Sequence, residues 1–330
     1  MKKDRIIGLD IIRAMAILLV VVTHMFNYTG ILNMDVHSFN WAISDVMHYV
    51  SMMCVPLFLL LTGYLQRNRK PDKKHYLSII PLVITYIVIQ MLNVILEVRL
   101  FNNGVWQWSL FKDIFDFEYG YAWYMEMYIC LFMLIPFINI LFRSLDRQKQ
   151  KVLIAVMMGV TMLPALMRGF RIGGEEYNIF PDFLENMYVV TYYLLGAYIG
   201  EHKPQPKKWL CGVVALGVLL FESVCCWVYT NPDYAWYLFN HNATLTHAIA
   251  SVAVFLMLYQ VDFKCRPLRF VVTEFSLCSF EMYLFSYFTD KYIYAHFIHL
   301  PVWITVLMSF GAAYVAARVV NTVKKIADKR

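Results

Sequence analysis

The sequence predicts an all-α integral membrane protein of about ten transmembrane helices with a polar cavity in the bundle. Its composition is the first observation: 60% of the 330 residues are apolar, 16% are charged, and mean hydropathy is +0.54. Soluble globular proteins have about 45–50% apolar and about 25% charged residues. Long apolar runs and a one-sided distribution of basic residues are the second and third observations.

Runs of roughly 17–25 mainly apolar residues predict transmembrane helices. Ten such runs follow one another along the chain: 6–27, 41–65, 76–98, 121–142, 152–168, 183–200, 209–229, 243–261, 270–289 and 300–320. No linker rich in proline, glycine or serine, no repeat and no low-complexity stretch divides them. We therefore predict a single transmembrane domain over residues 1–330, with no extra soluble domain.

The basic residues collect in every second connection between the runs. Of the 29 Lys and Arg residues, 23 lie in the N-terminal segment, in 66–75, 143–151, 201–208 and 262–269, and in the C-terminal tail. Cytoplasmic loops carry this excess, so we expect both termini in the cytoplasm. The net charge of +6 then follows from membrane topology, and no nucleic-acid partner is expected. The first run is too long for a cleavable signal peptide.

Three ionisable residues, Asp10, Arg13 and His24, lie within the first apolar run. Eleven positions separate Arg13 from His24, close to three helical turns, and Asp10 precedes Arg13 by one turn, so all three project from one face. Charge inside a bilayer is costly, which makes this row a functional-site hypothesis. We expect Asp10 to pair with Arg13. The alternative is an interfacial pair and a helix-end histidine with no chemical role.

Other candidates lie in later runs. Glu126 and Glu281 could orient His24 or bind an acceptor, and a structural hydrogen bond is the alternative for each. Trp123 and Tyr124 are possible supporting residues, with core packing or an interfacial belt as the more ordinary role. The seven cysteines show neither a disulfide framework nor zinc-ligand spacing, so no metal is expected.

The first apolar run opens with Gly8-Leu9-Asp10-Ile11-Ile12-Arg13-Ala14, and Thr23-His24 follows with ten residues between Arg13 and His24. This pattern resembles the first helix of the acyltransferase-3 family of bacterial membrane O-acyltransferases. Four further stretches fit in order: Pro56–Leu65, Tyr121–Tyr128, Tyr192–Tyr198 and Ser279–Ser286. Ser286 stands where relatives commonly have His and Glu281 where they have Gly, so no late catalytic histidine is assigned.

The resemblance implies transfer of an acyl group, usually acetyl, from cytoplasmic acyl-CoA to a hydroxyl of an envelope polysaccharide or lipid-linked sugar. It also implies a multi-pass protein of the bacterial cytoplasmic membrane, surrounded by lipid. His24 is then the expected general base, because a neutral imidazole can take the hydroxyl proton during attack on the thioester. Arg13 either stabilises the oxyanion or binds a CoA phosphate, and the sequence leaves both roles open.

Two other functions remain possible at this point. A transporter or flippase of lipid-linked glycans would also need a polar cavity, although an inverted repeat, which would favour it, is not visible. A non-catalytic relative that binds a partner is the third possibility, and the presence of both Arg13 and His24 argues against it. Phosphate-binding loops and serine-hydrolase elbows are absent from the sequence.

Overall fold

The computed structural model describes residues 5–29, 37–101, 104–106, 108–169, 180–229 and 242–327. All regular secondary structure in these residues is helical. The helices, numbered in chain order, are α1 Ile7–Met25, α2 Phe39–Met52, α3 Cys54–Gln66, α4 Lys73–Leu77, α5 Ile80–Leu100, α6 Trp108–Phe115, α7 Trp123–Ser144, α8 Arg147–Thr161, α9 Leu163–Gly169, α10 Asp182–Glu185, α11 Tyr188–His202, α12 Lys208–Tyr229, α13 Leu245–Leu258, α14 Arg266–Phe297 and α15 Val302–Ala327.

Helix is present in every one of the ten predicted apolar runs. Seven helical stretches of the described chain are long and apolar enough to cross a membrane: Ile7–Met25, Phe39–Gln66, Lys73–Leu100, Trp123–Ser144, Arg147–Met167, Lys208–Val228 and Val302–Ile326. The other three runs lie in α11 and α13, which are shorter, and in α14, which carries several charged residues. The all-helical, multi-pass prediction is confirmed, while the number of ten spans and the cytoplasmic termini stay predictions.

The chain forms two compact units. The first consists of Met1–Asn68 and Asn139–Thr273, and the second of Arg69–Ile138 and Glu274–Arg330. Two helices, α7 and α14, contribute residues to both units. The prediction of a single domain over the whole chain stays a prediction.

In the first unit, α3 packs closely against α11 because glycines remove side chains from the contact. A Cβ atom built on Gly63 would collide with the backbone carbonyl oxygen of Tyr193, and one built on Gly196 would collide with that of Leu60. Such close backbone approach is a common way to pack helices in membranes, where van der Waals contact replaces hydrophobic burial as the driving force. Gly8 of α1 makes the same kind of approach to α13, at the backbone of Leu258.

The start of α2 is held by an N-cap. The Ser38 side chain accepts a hydrogen bond from the backbone N–H of Trp41 at 3.1 Å, which satisfies one of the free donors of the first turn. Trp41 is fully buried, and α2 continues from it to Met52 before the chain enters α3 at Cys54. This cap therefore fixes the start of α2, the helix that carries the buried Asp45.

The second unit is held by polar contacts of α14 with its neighbours. Asn93 of α5 donates to the backbone carbonyl of Leu284 at 2.8 Å. Lys291 forms an ion pair with Glu97 at 2.6 Å, and the Tyr119 hydroxyl donates to the same carboxylate at 2.6 Å. Burial, together with this hydrogen bond, raises the pKa of Tyr119, which lies between the predicted spans, well above its ordinary value.

Ion pairs also join α14 to α15 in this unit. Glu274 pairs with Arg318 at 2.7 Å and Glu281 pairs with Lys324 at 2.8 Å. Both carboxylates are buried and both basic side chains are partly exposed, so the long Lys and Arg stems bring their charge to the acid while remaining near the surface.

Candidate functional site

The candidate site begins with α1, which is unbroken from Ile7 to Met25 and therefore keeps the predicted spacing. At 100° per residue, Arg13 and His24 differ by about 20° around the helix axis and by about 16 Å along it. Both side chains are half-buried, whereas Asp10 is buried. All three belong to the first unit. The helix thus presents an acid and a guanidinium near one end and an imidazole near the other.

Arg5 extends this row of charged residues. From the sequence, it was predicted only as part of the basic N-terminal segment. Its guanidinium donates to both carboxylate oxygens of Asp10, with Nη2–Oδ1 at 2.8 Å and Nε–Oδ2 at 2.5 Å. A two-point bond of this kind fixes the carboxylate and neutralises its charge. The end of α1 that carries Arg13 therefore holds two guanidinium groups and one carboxylate.

The opposite end of α1 places His24 beside the junction of α2 and α3. The neighbouring Thr23 hydroxyl lies 3.8 Å from the Cys54 Sγ atom, at the first residue of α3. The Phe26 ring contacts the edge of His48 of α2, with ring centroids 5.1 Å apart. The imidazole of His24 is thus positioned by the end of α1, which packs against α2 and α3.

The supporting candidates are residues of the second unit. Glu281 forms the ion pair with Lys324 described above. This contact agrees with the structural role that was the alternative for this residue. Glu126 and Trp123 are exposed on α7. Tyr124 packs between rings, 5.9 Å from Trp123 and 5.8 Å from Tyr283. Tyr124 therefore has a packing role, and supporting roles in chemistry stay predictions for all four residues.

The first unit also contains a buried polar cluster that was not predicted from the sequence. Asp45 of α2 is 1% exposed, while Glu222 of α12 and His247 of α13 are fully buried. His247 Nδ1 lies 2.8 Å from Glu222 Oε1. All three residues fall inside predicted apolar runs, so the rule that marked Asp10, Arg13 and His24 as unusual within a membrane span would also have marked these.

No group of three or more His, Cys, Asp or Glu side chains in the described part of the chain is arranged to hold a metal ion. At one end of α1, the guanidinium groups of Arg5 and Arg13 are the kind of group that binds an anionic donor, and that of Arg5 is bonded to Asp10. The connection 230–242 between two predicted apolar runs lies almost wholly outside the described residues.

The comparison with known families gives a match over nearly the whole chain. The family model described as an acyltransferase domain, of the acyltransferase-3 family, matches residues 6–320. Neither the curated proteins nor the solved structures compared with this chain gave a match. The matched region contains the Arg13–His24 helix and parts of both units. The chain therefore belongs to the acyltransferase-3 family, as a multi-pass membrane acyltransferase.

Proposed function

We propose that this protein transfers an acetyl or other short acyl group from cytoplasmic acyl-CoA to a hydroxyl of an envelope polysaccharide or lipid-linked sugar. The observation that carries this proposal is the placement of Arg13 and His24 on one face of a single unbroken helix in a member of an acyltransferase family. The proposed location is the cytoplasmic membrane of a bacterium, with ten spans and both termini in the cytoplasm.

His24 acts as the general base in this proposal. Its neutral imidazole accepts the proton of the acceptor hydroxyl while the hydroxyl oxygen attacks the thioester carbonyl carbon. The tetrahedral intermediate then collapses, the carbon–sulfur bond breaks, and the imidazolium returns the proton to the CoA thiolate. The reaction needs no net proton, no metal and no covalent acyl-enzyme. Half-burial of His24 supports this role, because the ring is shielded from bulk water and still has accessible surface.

Arg13 binds the donor or stabilises the oxyanion. If residue 6 marks the cytoplasmic edge, Arg13 lies about 10 Å and His24 about 27 Å into the membrane at ~1.5 Å per residue. A CoA headgroup held near Arg13 and the basic connection 143–151 then extends its pantetheine arm towards His24. The Arg5–Asp10 pair supports this arrangement, since a second guanidinium neutralises the carboxylate nearest to Arg13 on this helix.

The test is acyl transfer by the purified full-length protein in liposomes, with radiolabelled acetyl-CoA and an envelope glycan extract. We expect label on the glycan with the wild type and its loss with His24→Ala, while the melting temperature stays near that of the wild type. His296→Gln is the matched control, since this histidine is exposed in the second unit and bonds the backbone carbonyl of Tyr292. That variant should transfer label normally.

Two results would overturn the assignment in different ways. Turnover retained by a stable His24→Ala protein would remove His24 as the general base and leave acyl transfer intact. A stable wild-type protein that neither binds acetyl-CoA nor labels any glycan would favour the alternative, a transporter or flippase of lipid-linked glycans, which flux measurements in the same liposomes would then detect.

A further inference from the structure

The end of the first unit that carries His24 also holds the start of α11 and the segment that leads into α13. The Thr23 hydroxyl, next to His24 in the chain, lies 3.8 Å from the Cys54 Sγ atom. Cys54 is within electrostatic reach of the Tyr188 hydroxyl, at the first residue of α11, and that hydroxyl is hydrogen-bonded to the Asn242 side chain. A series of neighbouring side chains thus leads from His24 to Asn242.

The direction of α13 gives the same placement. Gly8, near the start of α1, approaches the backbone of Leu258 at the end of α13. In the first turn of α13, Nε2 of His247 lies 3.2 Å from the carbonyl oxygen of Tyr49, close to the α2–α3 junction beside His24. At ~1.5 Å per residue, His24 and the start of α13 lie about 24 Å and about 20 Å from the Gly8 contact. The two helices therefore run in opposite directions, and α13 begins near the level of His24.

The segment that leads into α13 carries buried polar atoms without a hydrogen-bond partner among the described residues: Asn242 Oδ1, Thr244 Oγ1 and Thr246 Oγ1. Thr244 is 1% exposed and occupies the N-cap of α13, yet its side chain makes no cap bond in the described part of the chain. A threonine at this position usually accepts a hydrogen bond from a first-turn N–H group. Because burial of an oxygen without a hydrogen bond costs free energy, these atoms indicate a site for a polar ligand.

The hydrogen-bonding groups of this segment identify the class of ligand. A threonine hydroxyl donates and accepts, the Asn242 Oδ1 atom accepts, and the first-turn N–H groups of a helix donate. Sugar hydroxyls also donate and accept, whereas phosphate oxygens only accept and an acyl chain offers a single carbonyl. The Tyr188 and Tyr192 rings, with centroids 6.1 Å apart, add the apolar surface of an aromatic side chain next to these groups. The set therefore fits a sugar.

We propose that Asn242 and Thr244, together with Tyr188, bind a sugar unit of the acceptor and position its hydroxyl towards His24. This inference rests on the proposed acyl transfer and names the part of the first unit that selects the acceptor. The three side chains are positioning residues and take no part in proton transfer. Asn242 and His24 are both half-buried, so this end of the unit keeps accessible surface for an acceptor. The donor then binds at the opposite end of α1, near Arg13.

The test measures acyl transfer by the full chain in liposomes, with saturating acetyl-CoA and increasing amounts of the envelope glycan extract. Thr244→Val keeps the shape of the side chain without its hydroxyl, and Asn242→Ala removes the amide. We expect each variant to raise the KM for glycan by about two- to tenfold, the usual effect of one hydrogen bond between uncharged groups. The kcat and the KM for acetyl-CoA should not change, because these side chains contact neither the thioester nor CoA. Thr244→Ser, which keeps the hydroxyl, should behave as the wild type.

Thr161→Val is the matched control, because the hydroxyl of this buried threonine has partners. It donates to the Met157 carbonyl at 2.8 Å and lies 2.9 Å from the Thr191 hydroxyl. This variant should lower the melting temperature and leave the KM for glycan normal. Thr244→Val should do the opposite, since the Thr244 hydroxyl has no hydrogen bond within the described residues. A lowered melting temperature with a normal KM in Thr244→Val would show a structural role and overturn the proposal.

Retention of radiolabelled glycan by the protein without acetyl-CoA separates this proposal from the proposed function. Thr244→Val and Asn242→Ala should weaken retention by the same factor as they raise the KM. Normal KM and retention in both variants would overturn the sugar site and leave acyl transfer intact. No transfer by the wild type, with retention that both variants weaken, would overturn acyl transfer alone, and neither transfer nor retention would overturn both. Because each variant removes a different side chain, either one decides if the other does not fold.

Discussion

At the scale of single residues, several buried carboxylates among the described residues form ion pairs with basic side chains. Asp10 forms an ion pair with Arg5, Glu97 with Lys291, and Glu281 with Lys324. Each pair follows from the cost of leaving a charge without a partner in an apolar interior. Arg13 and His24 differ from these buried acids because they are half-buried, which suits side chains that meet a substrate.

Arg13→Lys should reduce both acetyl-CoA affinity and transfer rate by about tenfold or more, because a single ammonium cannot reproduce the planar, two-point bond of a guanidinium to a phosphate or an oxyanion. The measurements are acetyl-CoA binding and the liposome transfer assay. Arg99→Lys, at the exposed end of α5, is the control and should behave as the wild type. Affinity and rate that both stay normal in Arg13→Lys would exclude both proposed roles of this residue.

At the scale of elements, the first unit depends on close helix approach at glycines. Gly63 of α3 and Gly196 of α11 each face a backbone carbonyl of the opposite helix, so neither can gain a Cβ without moving a helix axis. Backbone atoms cannot rotate away as a flexible side chain can, and interiors are packed too densely to absorb the added volume. This contact holds α3, whose first residue lies beside Thr23 and the end of α1.

Gly63→Ala and Gly196→Ala should each destabilise the protein by about 1–3 kcal/mol, the usual cost of overpacking a dense interior. Thermal unfolding in detergent measures this. Gly217→Ala on α12 is the control, since a Cβ at that position meets no atom within 4 Å. It should leave the melting temperature unchanged or raise it, because alanine favours helix. Equal melting temperatures for all three variants would contradict the close approach.

At the scale of the whole molecule, the distribution of basic residues predicts how the chain lies in the membrane. The family match at residues 6–320 covers nearly all of the chain, and the seven apolar helical stretches found in the described residues occur in both halves of it. The positive-inside rule then predicts that the connection 143–151 faces the cytoplasm and that 99–120 faces the opposite side.

Cysteine labelling tests this topology. We expect Lys149→Cys to react with a membrane-impermeant maleimide only after the cells are permeabilised. Glu118→Cys should react in intact cells, because α7 is predicted to cross the membrane between the two positions. Both positions are exposed, and the natural exposed residues Cys130 and Cys265 are first replaced by serine. Reaction of both positions from the same side would show that the predicted topology is wrong.

Much of the architecture and part of the site could be predicted because they depend on local properties of the chain. Apolar run length located a helix at each of ten segments, and helical periodicity placed Arg13 and His24 on one face, since both depend on neighbours along a single helix. The break between α2 and α3 at Met53 lies within one apolar run and was not predicted. Hydropathy does not distinguish one long helix from two that follow each other.

By itself, the sequence determined that this is a helical membrane protein of the acyltransferase-3 family, with an Asp10, Arg13 and His24 row on its first helix. Only the tertiary structure decided which side chains pair between helices: Lys324 with Glu281, and Glu222 with His247. The physical reason is the distance between these residues along the chain. Glu222 and His247 lie 25 residues apart on different helices, so their pairing depends on how those helices pack.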